Sequence, residues 1–167
     1  MSDPRIELSN WLAATPLSHA IQVTAWIIPT LQTLHILGVG VLFTSAVLVD
    51  LRVLRLLQRD IPLGVVIHRF LPTIWPLLLF LLVTGSLLIV GEPRRSLLNA
   101  TFLIKMTLLA LAILLTAGLQ WLVAPSQMAH ESGRARRLTG QVVASASLLI
   151  WCGILFAGRW IAYTQAG

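Results

Sequence analysis

The stretch Trp26–Val49, WIIPTLQTLHILGVGVLFTSAVLV, closed by Asp50-Leu51-Arg52, decides the fold class. As a helix it is long and apolar enough to cross a hydrocarbon core of about 30 Å. Its one titratable side chain is His35. An ionisable ring at membrane depth is costly unless it has a partner, so His35 is the first candidate for function. Gln32, His35, Gly38, Leu42 and Ser45 fall at three- and four-residue spacing and make one stripe. Small and polar residues on one stripe suit a helix–helix interface or a cofactor-facing surface, and the Leu, Ile and Val of the other faces suit lipid. Pro29, one turn into the span, predicts a kink or a loosened first turn.

The rest of the chain agrees with this class. Of 167 residues, 57% are hydrophobic and 11% charged, with a mean hydropathy of +0.86; a soluble domain is about 25% charged. Three further apolar runs predict spans over about Val65–Val90, Phe102–Ala124 and Gly140–Tyr163. The expected architecture is all-α: one integral membrane four-helix bundle over residues 1–167, with no second domain. The net charge of +6 does not point to nucleic acid. The basic residues sit in short segments between apolar runs and read as topology determinants facing anionic lipid.

Met1–Asn10 has no basic region leading into an apolar core, so no cleavable signal peptide is expected and the first span itself would direct insertion. Asp3-Pro4 predicts a helix start. The following residues to about Ala14 predict a short interfacial helix anchored by Trp11, or equally an amphipathic cap on the bundle. Thr15-Pro16 breaks or restarts it. Asn99 or Thr101 predicts the cap of the third span, and Pro72 and Pro76 predict a bend in the second. Arg52, Arg55, Arg59, Arg69, Arg134, Arg136 and Arg137 lie on one side, against Arg5, Arg94, Arg95, Lys105 and Arg159 on the other. That bias places both termini outside a bacterial inner membrane.

His35 lies about ten residues, roughly 15 Å, below the end of its span. A neutral imidazole there can bind haem iron or another transition metal, or hydrogen-bond a neighbouring helix. Lys105, on a stripe with Ala112, Thr116 and Gln120, and Arg159, on a side with Gln141, Ser145, Cys152 and Phe156, approach the same surface. A haem b on His35 would present its propionates to this basic rim. A second axial ligand is missing: His68 is at the opposite face, His130 in a loop and His19 ahead of the span, which leaves Met106, His19 or another subunit. Alternatively His35 only bonds across the bundle while Lys105 and Arg159 snorkel. Cys152 reads as a small hydrophobe. Asp50 can pair with Arg52, Arg55 or a neighbouring helix end, a solvated juxtamembrane pair being the plainer reading, and no carboxylate relay is expected inside the bundle.

WLAATPLSHAI, TLHILGVGVLFTSAVLVDLRVL, HRFLPTIWPLLLFLLVTGSLL and NATFLIKMTLLALAI resemble, in that order, an uncharacterised family of small bacterial four-helix membrane proteins. More distantly, His35 with Gly38 and Lys105 with Met106 are similar to copper-resistance CopD-type domains and to HemJ-type protoporphyrinogen oxidase. The HemJ likeness implies haem b on the early histidine; the CopD likeness implies copper handling. Three functions are carried forward: a small haem- or metal-binding protein in membrane redox chemistry, a cofactor-free accessory subunit with a membrane partner or a second copy, and a copper-handling protein.

Overall fold

A computed structural model describes residues 3–57, 63–123 and 134–160. Among these the chain is helical, without strands, in seven helices. They are α1 (Pro4–Ala13), α2 (Pro16–Val23), α3 (Ile27–Val53), α4 (Leu63–Gly91), α5 (Pro93–Leu97), α6 (Ala100–Val123) and α7 (Arg134–Trp160). Four segments are long and apolar enough to cross a membrane: Ile27–Val53, Pro72–Gly91, Ala100–Trp121 and Arg137–Trp160. The side chains of His68, Arg134 and Arg136 lie outside the description, as do Arg59, Ala124, His130 and Tyr163.

The ends of these helices follow local chemistry. The Asp3 carboxylate caps α1 by accepting the Arg5 N–H at 2.9 Å, and the Arg5 guanidinium beside it, with that backbone bond, holds its pKa below the usual value. Thr15 caps α2, accepting from the Ser18 N–H at 3.3 Å, and Asn99 caps α6 through the Thr101 N–H at 2.8 Å. Pro29 is the third residue of α3, where a helix has no use for its N–H, so it sits inside an unbroken first turn. At its other end α3 runs past Val49. The Arg55 N–H donates to Arg52 O and the Leu56 N–H to Leu51 O, at 3.1 and 2.9 Å, and Arg55 takes φ 61°. This is a Schellman termination with arginine in the position usually held by glycine.

The N-terminal region forms a cap of two short helices, α1 and α2. Helix α1 packs on α5, and α2 on α4. Arg94 donates to Asn10 Oδ1 at 2.8 and 3.2 Å, and the Ser18 hydroxyl donates to Val90 O at 2.7 Å. Trp11 is 66% exposed on the outside of this cap.

Below the cap, α3 packs along α4 and α6 along α7, and the two hairpins join through α3 and α7. Leu42, Ala46, Ile74, Ala112, Trp151 and Ile154 form the core. The α3 stripe faces inward as expected, with Gly38, Leu42 and Ser45 buried; Ile36 and Leu37 are 69% and 62% exposed and face lipid. Helix α7 is rotated away from expectation. Its inward stripe is Gly140, Ala144, Ser147, Trp151, Ile154 and Ala157, while Ser145, Cys152, Phe156 and Arg159 are exposed.

Without a hydrophobic force between helices in lipid, close packing at small residues carries the association. A Cβ added at Gly38 would stand 2.9 Å from Phe80 Cε1 and 3.0 Å from Leu81 Cδ2, whereas one at Gly40 meets nothing within 4 Å. Gly38→Val should therefore lose about 1–3 kcal/mol by forcing α3 from α4. Gly40→Ala should be neutral or gain up to about 1 kcal/mol of helix propensity. Unfolding of both variants in one detergent checks this pair.

Candidate functional site

His35 is half-buried on α3, facing α4. Its Nδ1 lies 2.8 Å from Thr84 Oγ1, and that hydroxyl lies 2.9 Å from Phe80 O, four residues back on its own helix. One hydroxyl proton must serve these two contacts. If Thr84 donates to Phe80 O, its lone pair accepts the His35 Nδ1–H and each group is satisfied; the opposite tautomer gives up the carbonyl. The satisfied arrangement leaves Nε2 with its lone pair. Gly85 makes room for the ring, since a Cβ there would approach His35 Cε1 to 3.3 Å.

The ring forms part of the wall of a cavity of about 570 Å³, within the range of about 300–1,000 Å³ that holds cofactor-sized ligands. It arises where the two hairpins diverge. Helices α4 and α6 scarcely touch, and the Trp75 indole crosses the gap to donate to Gln120 Oε1 at 3.3 Å. The walls are mainly apolar, with Leu78 and Leu82 on α4, Phe102, Met106 and Leu109 on α6, and Leu42 and Trp151 behind. The polar groups gather toward the cap: Gln32, His35, Ser86, Lys105 and the Glu92–Arg95 pair, whose charges meet at 3.0 Å.

Lys105 does not point away from the bundle. It is half-buried and near enough to His35 for its charge to act on the ring; its Nζ would be 3.9 Å from a Cβ on Gly158. Arg159 is exposed on the outward face of α7, next to Gly158, which lines the cleft. His19 is exposed on α2 and Cys152 on α7, both apart from the lining. Among the described residues no group of three or more His, Cys, Asp or Glu is placed to share a metal ion.

Two buried polar side chains take partners that the sequence reading did not name. Thr84 looked like one more hydroxyl in an apolar span; its signal was its place opposite His35 in an antiparallel pair. Asp50, for which a solvated pair with Arg52 or Arg55 was the plainer of the expected readings, is 2% exposed and bonds Ser147 on the neighbouring α7. The correction has a simple cause: α3 continues to Val53, so Asp50 falls on its inward stripe rather than at its terminus.

No curated protein and no solved structure matches the chain. The family of unknown function DUF6644 matches residues 10–164, and with that length of match the chain belongs to it.

Proposed function

We propose that the cleft binds haem b, with His35 Nε2 as axial ligand, and that the protein serves redox chemistry in a bacterial inner membrane. The observation that carries this reading is the His35 ring, fixed by Thr84 with Nε2 unpartnered, at the wall of an apolar cavity of about 570 Å³. Thr84 supplies what an axial histidine needs, a hydrogen bond that sets tautomer and orientation. Lys105 and Arg95 stand at the polar end to receive propionates, with Arg159 one residue beyond the lining Gly158. The apolar walls would keep water from a haem held there. Met106 on α6 is a second lining residue with ligand chemistry.

Bound there, haem b supplies one-electron iron chemistry, and the chain holds, orients and shields it. A bare metal ion on His35 is a poorer fit, because no His, Cys, Asp or Glu group joins it among the described residues, whereas a porphyrin brings its own equatorial nitrogens. The likeness of His35–Gly38 and Lys105–Met106 to HemJ-type proteins implies the same ligand. The arginine bias supports a capped end on the non-cytoplasmic side.

The gap between α4 and α6 favours a second reading, an accessory subunit whose cleft is filled by a partner's helix. Purification in detergent separates the two. Haem binding requires a Soret band in the wild type that His35→Ala abolishes; a colourless wild type that takes up no added haem, and co-purifies with a stoichiometric partner, selects the accessory subunit. Thr84→Val keeps shape but removes the acceptor for Nδ1–H. It should fold and bind haem about 10–100-fold more weakly, measured by haem titration of the stripped protein.

A further inference from the structure

A second polar layer lies toward the other end of the bundle. Asp50 is fifteen residues along α3 from His35, roughly 22 Å away at the helical rise. It is 2% exposed, and Ser147 on α7 and Thr116 on α6 are 2% and 6% exposed. Asp50 and Ser147 meet across the contact of α3 with α7, each one turn beyond a core residue of its own helix, Ala46 and Trp151.

Ser147 hydrogen-bonds the Asp50 carboxyl, yet Oδ2 has no partner among the described residues, and neither have Trp151 Nε1 and Gln120 Nε2. Helical side chains lean toward their own N-terminus. Trp151 on α7 therefore leans toward Ser147, and Gln120 on α6 leans toward Thr116. The Asp50–Ser147 pair therefore holds an unused carboxylate oxygen beside a hydroxyl in a buried position, oxygen chemistry suited to a small cation. Charge decides which kind. One carboxylate balances one positive charge, and no second carboxylate, His or Cys joins it to make a multivalent site among the described residues. Among the described side chains, the charged groups of the neighbouring elements near this level are Arg52 on α3, Arg55 just past its end, Arg69 on α4, which lies over the Phe70 ring at 5.9 Å, and Arg137 on α7; Arg55, Arg69 and Arg137 are exposed. Helix α6 carries no charged residue between Lys105 and Val123.

We propose that Asp50, together with Ser147, binds one small monovalent cation, a proton or Na⁺, in the half of the bundle away from the cap. A proton bonds to Oδ2 while Ser147 goes on donating to the other carboxyl oxygen; Na⁺ instead takes Oδ2 and the Ser147 oxygen as hard ligands. Either neutralises a carboxylate that hydrocarbon would otherwise exclude. The site is independent of what His35 holds.

Infrared difference spectroscopy on the full chain in lipid nanodiscs tests this. In choline chloride, the wild type should show a protonated-carboxyl C=O band that bleaches as pH rises and is missing in Asp50→Asn. Added NaCl bleaches the same band if Na⁺ competes for Oδ2 and leaves it if the site takes protons alone. Should Asp50→Asn not fold by gel filtration, Ser147→Ala serves instead, and the band should shift as its hydrogen bond is lost. A band that neither pH nor NaCl moves, or one that both substitutions leave unchanged, would overturn the proposal.

Discussion

Hydrocarbon supplies no hydrogen-bond partners, so every polar group in a spanning helix must find one inside the protein. This chain answers most of the demand in two ways, and leaves Asp50 Oδ2, Gln120 Nε2 and Trp151 Nε1 without a partner among the described residues. Hydroxyls turn back on their own helix: Thr30 to Trp26 O at 2.7 Å, Thr33 to Pro29 O at 2.8 Å, Thr44 to Gly40 O at 2.8 Å and Thr107 to Leu103 O at 3.1 Å. These side chains face outward at little cost. Groups too large or too strongly polar for that solution, His35, Lys105, Asp50, Gln120 and Trp151, turn toward neighbouring helices instead. The inward stripes, and hence the rotation of each helix, follow from this division.

The inward groups fall into two layers with an apolar core between them. Toward the cap, His35 meets Thr84, and Lys105 meets the glycine face of α7. Beyond Leu42, Ala46, Ile74 and Ala112, Asp50 meets Ser147. The two layers differ in surroundings. The first opens on a large cleft with cations at its polar end; the second is closed over by Val49, Leu119 and Ala144, each under 4% exposed. The first has room for a bulky ligand, while the second is a buried side-chain pair.

The spans and the inward face of α3 were legible because hydropathy and helical period are local properties. Asp50 was misread because Arg52 and Arg55 beside it mark an aqueous boundary, while the backbone goes on as helix to Val53. On α7 polar residues were a poor guide to the buried face. Small residues set it, since they admit α6 and α3, and Gln141, Ser145 and Arg159 fall elsewhere. Lys105 could be read either as an anion partner beside His35 or as reaching out to the headgroups, a choice that depends on what lies beside it. Gly158 leaves a trough on α7 for its stem, and that neighbour is 53 positions away in sequence.

The cleft follows from where the glycines are. A Cβ at Gly38 would strike Phe80 and Leu81 across the α3–α4 contact. One at Gly153 would meet Leu108 at 3.5 Å across α6–α7, and one at Gly140 would meet Val53 at 3.7 Å between α7 and α3. Each of these helix pairs closes on a residue without a side chain. Gly85 serves the His35 ring, and Gly118 on α6 meets nothing within 4 Å, so no described glycine lies between α4 and α6. Their facing positions carry Leu78, Leu82, Phe102 and Leu109, side chains that hold two backbones apart. The opening beside His35 is thus built into the distribution of residue sizes. A glycine or alanine pair at Leu82 and Leu109 would let α4 close on α6, and the space beside Nε2 would be lost.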